Sequence, residues 1–289
     1  MRQVIGEIGG SSSRWATIAE DGTVSTWPLK GERLLGFNPV SGEGGEYAGS
    51  ISSYFHGHQP GALAAERIAI YGAGCGTDAR RSRMRDAITA IWPVAQVTVD
   101  TDLMGAALGL AGSTPSMVLI LGTGMNAGYF DGRQLITPMP SLGYILGDEG
   151  SGADIGRNLL QDAFYDRIPA HVKEMIFGAQ GPVLADVLEQ VHRALHPGKE
   201  LASYTALLAP HSEEPYVREL LQGRFHTLAE LLTQFFLPDQ LRNMVATGSV
   251  AYFFREVLAE CLLDRGMTLN GVEPDPLPGL VRYHLQPAP

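Results

Sequence analysis

Short apolar runs bounded by glycine dominate the first half of this chain, and amphipathic stretches of helical period dominate the second. Residues 3–8 read as a strand and residues 15–19 as another. A third starts at Val24, after the turn Asp21-Gly22. Apolar runs flanking Asp-Gly predict a β-hairpin. The order recurs at 117–121, 127–130 and 134–136, with Asp131-Gly132 closing the second hairpin. In both copies a glycine-rich loop follows the first strand, which predicts two related halves. Between the copies the pattern gives a strand at 67–71, a helix at 78–91, a strand at 96–99 and a helix at 102–111. Strands alternating with helices argue for an α/β architecture. Beyond Gly152 the period becomes helical over 153–167, 183–195 and 217–236. A short strand at 243–246 then meets Thr247-Gly248-Ser249 and a helix over 250–263. The tail from Pro274 is proline-rich and carries one apolar segment, 280–285.

Composition narrows the class. The 289 residues are 45% hydrophobic and 18% charged, enough for two globular domains or one large one. The 35 glycines sit largely in the loops, so they mark local conformation rather than low complexity. The net charge is -10, and the densest basic segment, residues 80–85, is interleaved with Asp78 and Asp86. It reads as a solvated helix face, and without a basic groove nucleic acid is not an expected partner. Cys75 and Cys261 lack metal-ligand spacing and read as buried thiols in a reducing compartment. The N-terminus reads as a strand start rather than a signal peptide. No apolar run reaches the about 18 residues of a membrane span. A cytoplasmic protein with no membrane partner is the expectation. Trp15, Trp27 and Trp92 read as core or rim aromatics, and His56-Gly57-His58 as a mobile loop rather than a metal site.

The candidate chemistry sits in the loops. Glu7-Ile8-Gly9-Gly10-Ser11-Ser12-Ser13, Gly122-Thr123-Gly124-Met125-Asn126 and Gly147-Asp148-Glu149-Gly150-Ser151-Gly152 each follow an apolar run. Phosphate chemistry needs amides and hydroxyls that donate to oxyanions, and carboxylates that hold a metal or accept a proton. The strand, Gly248-Ser249 and helix sequence suits helix N-terminal amides placed on an anion or a nucleoside.

In order and spacing, Gly-Asp-Glu-Gly-Ser-Gly at 147–152, Leu-Gly-Thr-Gly-x-Asn at 121–126, Tyr-Gly-Ala-Gly at 71–74 and Gly-Ser-Val-Ala at 248–251 resemble the actin-like, sugar-kinase superfamily of ATPases. Within it, nearly end to end, the chain resembles the N-acetylglucosamine kinase branch of the BadF/BadG/BcrA/BcrD-type ATPases. The resemblance implies a two-domain, actin-like (ribonuclease H-like) α/β fold with an interdomain cleft. The domains would be 1–111 and 112–275, with the tail 276–289 packing back on the first. It further implies ATP and Mg²⁺ as cofactors and a small sugar as partner, in a family where homodimers are common.

Residue by residue, the resemblance assigns Glu7 to Mg²⁺, through water, and Gly9, Gly10, Ser11, Ser12 and Ser13 to the β/γ-phosphates. Gly122, Thr123 and Gly124 match the second phosphate loop. Gly248 and Ser249 match the adenosine-side turn, and Ala202 approaches the adenine. Asn38, Met125, Asn126, Gly143 and Asp148 fall on the sugar side. Asp102 matches the catalytic base, which takes the proton of an attacking sugar hydroxyl. Its other reading is a helix N-cap, and Asp100, two residues away, competes for the role. Two positions depart from the pattern. Ser12 stands where the kinases carry Lys or Arg, with Arg14 expected to point elsewhere, and Met125 replaces a smaller residue. An ATPase activator of a reductase or dehydratase and a catalytically weak sugar or nucleotide sensor are the alternatives to an amino-sugar kinase.

Overall fold

The computed structural model describes residues 2–10, 12–40 and 42–286. The chain divides into two compact units, residues 1–112 with 276–289, and residues 113–275. In the first unit, β1 (Gln3–Ile8), β2 (Ser13–Ile18) and β3 (Val24–Trp27) form the expected antiparallel meander. After α1 (Gly44–His58), β4 (Arg67–Gly72) adds parallel to β1. Helix α2 (Asp78–Ile91) leads to β5 (Gln96–Thr101), parallel to β4, and α3 (Asp102–Ala111) follows without a gap.

The second unit repeats this plan. β6 (Ser116–Leu121), β7 (Met125–Phe130) and β8 (Leu135–Ile136) form its meander. A helical set follows: α4 (Gly143–Leu146), α5 (Gly152–Phe164), α6 (Ala170–Phe177), α7 (Leu184–Arg193), α8 (Pro197–Ala206) and α9 (Pro215–Phe235). β9 (Met244–Thr247) runs parallel to β6, α10 (Ser249–Phe253) and α11 (Arg255–Leu263) follow, and β10 (Leu269–Glu273) runs parallel to β9. The strand orders are β3-β2-β1-β4-β5 and β10-β9-β6-β7-β8, so one order read backwards is the other. Two such α/β sheets with their helices constitute the actin-like architecture that the motifs imply. The chain ends with α12 (Leu277–Leu285), which belongs to the first unit.

The strands read as apolar runs because both faces of each sheet are covered. On β1, Val4 and Ile8 pack with Trp15, Ile51, Phe55 and Trp92, whereas Ile5 faces Ala16, Ala69, Leu277 and Leu280. Period two thus splits one strand between two cores. Trp15 and Trp92 are fully buried core residues, and Trp27 lies at the edge of the same core. The second face depends on α12. A Cβ on Gly279 would stand 1.8 Å from the carbonyl oxygen of Gly109, so α12 and α3 cross backbone to backbone. Among the described residues, no helix is long and apolar enough to cross a membrane.

The elements depart from the pattern in identifiable ways. His56-Gly57-His58 is not a loop but the last turn of α1. There the His56 and His58 Nδ1 atoms bond the carbonyls of Ser52 and Tyr54, at 3.1 and 3.0 Å. The helix over 250–263 is two helices that meet at Phe254, whose ring is buried while that of Phe253 is 62% exposed. Helices α1, α6 and α8 and strand β10 carry too weak a period to be predicted. The apolar tail segment 280–285 is part of a helix.

Candidate functional site

In the first unit the parallel ladder aligns Ile8 with Gly72 and Gly72 with Thr101. The loops after β1, β4 and β5 therefore leave the sheet at one edge, the carboxyl edge where ligands bind in open α/β sheets. Glu7 is half-buried near the end of β1, opposite Arg14 on β2. Directly opposed residues share a face, so an exposed cation stands beside the first loop although position 12 is Ser. The Gly9 amide donates to the Ser12 carbonyl at 2.9 Å, closing a tight turn. A Cβ on Gly10 would meet nothing within 4 Å, which leaves this stretch of backbone approachable. Ser11 lies outside the described residues, and Ser12 is half-buried.

Ser13 requires a correction. Its hydroxyl donates to the Leu35 carbonyl at 2.7 Å and accepts from the Trp15 indole at 3.0 Å, and its amide donates to Leu34. At 1% exposure it has no donor left for a phosphate. Position 13 is the first residue of β2, and the alternation of the strand turns it into the core.

Asn38 sits against Gly74, the loop glycine after β4. A Cβ there would stand 2.4 Å from Asn38 Oδ1, and the φ of +74° also favours glycine. Asn38 Oδ1 accepts from the Val40 amide at 2.9 Å in a local turn, which commits its oxygen. Asp102 is the first residue of α3. The N-cap is Thr101, whose hydroxyl accepts from the Met104 amide at 3.0 Å, so the capping reading of Asp102 fails. The Asp102 carboxylate is half-buried and accepts from the Leu103 amide at 2.8 Å. Asp100, still in β5, bonds the Thr101 amide at 2.7 Å. The Cys75 thiol is buried, and burial pushes it up to about 11, with the Asp102 charge adding to the effect. A neutral, buried thiol of this kind is inert.

In the second unit, Gly122, Thr123, Gly152, Ala202, Ser249 and Phe253 line one cavity of about 240 Å³, with Lys199 and Ser203 at its wall. The cavity exists because three glycines permit close approach. A Cβ on Gly152 would stand 3.0 Å from both the Ala202 methyl and the Gly122 carbonyl oxygen. On Gly248, at φ +106°, a Cβ would be 2.3 Å from the Leu121 carbonyl oxygen. Gly156, one turn along α5, would place its Cβ 1.9 Å from the Leu201 carbonyl oxygen, so α5 and α8 touch along their backbones. Thr247, beside Gly248, keeps a buried hydroxyl with no partner among the described residues.

The two later glycine loops are stitched together. The Gly152 amide donates to Gly122 at 2.8 Å, and the Ala153 amide to Thr123 at 3.0 Å. Four residues before Gly152 lies Asp148, in the left-handed region at φ +60° and 8% exposed. Its carboxylate rests on Gly124, where a Cβ would come within 2.7 Å, and accepts from the Met125 amide. Burial raises its pKa. The Met125 hydrogen bond opposes this, and the charges of Glu149 and Asp154 add to it. Met125 is buried and already part of β7, so the second loop ends at Gly124 rather than at Asn126. Asn126 is half-buried, with Oδ1 on the Ala127 amide at 3.0 Å. Gly143, at φ +71°, opens α4 just before this block.

The structure thus gathers Gly122, Thr123, Ala202 and Ser249 at one cavity, and Asp148 with Gly124 and Met125 beside it. Glu7, Gly9, Gly10, Asn38 and Asp102 gather at the other unit's sheet edge. Lys199, Ser203 and Phe253 of the cavity wall carry no motif. Asp154 is the acid that the motifs passed over, although Ser-x-x-Asp at 151–154 is a capping-box signature. Among the described residues no group of three His, Cys, Asp or Glu could hold a metal by itself.

No protein-family model and no curated protein matches the chain. Solved structures do. A "putative N-acetylglucosamine kinase" from Porphyromonas gingivalis superposes with a TM-score of 0.83 at 32% identity, covering 98% of each chain. A second protein of that description, from Chromobacterium violaceum, gives 0.72 at 19% identity, over 97% of this chain and 98% of its own. A ROK family glucokinase from Streptomyces griseus, solved with glucose and AMPPNP, gives 0.54 at 18% identity over 97% of each chain. The last two share the fold.

Proposed function

The chain belongs to the family of the Porphyromonas gingivalis N-acetylglucosamine kinase-like protein, and from that premise we propose that it is an ATP-dependent sugar kinase of the BadF/BadG/BcrA/BcrD type. Its acceptor is an amino sugar, N-acetylglucosamine phosphorylated on the exocyclic 6-hydroxyl. Asp148 carries the reading. A buried carboxylate held against the loop that continues from the cavity-lining Gly122 and Thr123 is a costly arrangement unless it meets a polar ligand. Vicinal hydroxyls of a sugar supply such donors.

In this reading the cavity of Gly122, Thr123, Ala202 and Ser249 receives the nucleoside end of ATP. The Gly122 and Gly124 loop and the Gly9 and Gly10 turn, with Ser12, are the phosphate binders of this reading. Glu7 is the residue that would hold Mg²⁺, which would supply positive charge against the phosphates. Asp102 takes the proton from the acceptor hydroxyl, its carboxylate fixed at the strand–helix junction by the Leu103 amide. Asp148, Asn126 and the Asn38 amide group orient the sugar, with Met125 and Gly143 shaping its seat. Arg14, on the face of Glu7, is the cation nearest in the ladder to the first loop. The thiols of Cys75 and Cys261 are both buried, which does not suit ligands of an iron–sulfur cluster and disfavours an activator.

The test is ADP release in a coupled assay with N-acetylglucosamine, N-acetylmannosamine, glucosamine, glucose or no sugar. N-Acetylglucosamine is expected to accelerate ADP release most. Turnover no faster with any N-acetylhexosamine than with water alone overturns the kinase reading.

A further inference from the structure

The most heavily bonded carboxylate described belongs to Asp154, in the first turn of α5 and 1% exposed. Each of its oxygens accepts twice. Oδ1 takes Arg157 Nη2 at 2.8 Å and Asn158 Nδ2 at 3.1 Å. Oδ2 takes the Gly150 amide at 2.9 Å and Arg224 Nε, from α9, at 2.8 Å. All four lone-pair positions of the carboxylate are therefore filled. Helix capping at this place needs one such bond, not four.

The partners show what the arrangement holds. Gly150 is two residues after Asp148, and at φ +75° it packs on Leu228 and Phe225 of α9. The Ser151 amide donates back to the Asp148 carbonyl at 3.0 Å. Arg157 reaches past Asp154 and donates through Nη1 to the Tyr144 carbonyl at 3.0 Å, in α4. One buried acid thus ties the segment on each side of Asp148 to two long helices. Asp148 itself has a left-handed backbone, a conformation uncommon for L-residues though readier for Asp than for most. Its own carboxylate is held from the other side by the Met125 amide.

We infer that Asp154, with Arg224 and Arg157, is the positioning device of the acceptor loop, setting where the Asp148 carboxylate meets the substrate. The inference rests on the sugar-kinase reading for the identity of that substrate. Asp154 does not touch the substrate; it acts through Gly150. An Asn at 154 keeps the shape but replaces one acceptor oxygen by an NH₂. That group opposes either the Gly150 amide with Arg224 or the Arg157 and Asn158 pair, and both arginines lose their counter-charge. The loop is then released on one side while the nucleotide cavity keeps its own contacts.

Steady-state kinetics of the full chain and of Asp154→Asn, varying sugar and ATP separately, test this. The expected result is a sugar KM raised roughly tenfold or more, the loss of a charge-assisted hydrogen bond, with kcat and the ATP KM little changed. Arg224→Gln keeps the acid and removes its tie to α9, and should move the sugar KM in the same direction if Asp154→Asn does not fold. A sugar KM unchanged in the folded variants, or a uniform fall in kcat with no split, overturns the inference. Hydrogen exchange keeps the two readings apart. If the unaltered protein turns over no sugar, the kinase reading falls. The positioning claim then stands or falls on whether Asp154→Asn speeds amide exchange across residues 147–152.

Discussion

Asp102 and Asp148 are both aspartates near glycine loops, yet their surroundings give them different chemistry. Asp102 stands half-buried at the start of α3, where its Oδ1 accepts from the Leu103 amide. Asp148 is buried and its pKa is raised, so its charge is held at a cost that a ligand donor offsets. Asp102→Asn should therefore lower sugar-dependent ADP release by about 10²–10⁴-fold, with ATP affinity by calorimetry little altered. A rate within a few-fold of the unaltered protein moves the base elsewhere, Asp100 being next in line. The residues alone left Asp100 and Asp102 in competition, and it is the family resemblance that singles out Asp102 and Asp148 as candidates. The inward turn of Ser13 was not legible, since it depends on where β2 begins. Nor was Asp154, whose partner Arg224 lies 70 residues away.

Among the elements, those that the pattern revealed are the ones whose burial is one-dimensional. β1 and β6 are covered on both faces and read as unbroken apolar runs. α1 was hidden, because glycines at 44, 45, 49 and 57 argue against helix by propensity. It forms because Tyr47, Ile51 and Phe55, one turn apart, are buried against Trp15, Trp27 and Phe37, and packing overrides propensity. α12 was visible only as an apolar patch, and its polar anchor appears in three dimensions. His284 bonds Gln3 through Nδ1 and the Tyr71 hydroxyl through Nε2, both at 2.9 Å. Burial, then Arg67, lowers its pKa below 6.5. A folded-state pKa below the unfolded one means that the unfolded chain takes up the proton first. No difference exists well above pH 6.5, and stability is lost as pH falls through that value. Urea midpoints measured from about pH 8 to about pH 5 should fall for the unaltered chain. His284→Asn should start lower and fall less. Parallel curves would show that His284 does not carry the dependence.

At the scale of the whole molecule the repeated strand order is what the two glycine hairpins announced, but the two units are not completed in the same way. The second closes on its own helices, α5, α9 and α11, around one core. In the first, one sheet face is covered jointly by α3, through Met104 and Leu108, and by α12. Leu277, Leu280 and Val281 are 3%, 0% and 7% exposed against Ile5, Ile18, Ala69 and Tyr71. Burying an aliphatic side chain contributes about 1.5–3 kcal/mol, so these three together supply roughly 5–9 kcal/mol. A whole domain is stable by only about 5–15 kcal/mol. Ending the chain after Asp275 should therefore unfold residues 1–112 while residues 113–275 stay folded. Limited proteolysis with mass spectrometry reads this directly, as loss of the first segment and survival of a core fragment spanning the second. Equal protection of residues 1–112 with and without α12 would mean that the α3 and β-sheet face tolerates exposure, and that the crossing at Gly109 and Gly279 contributes little to stability.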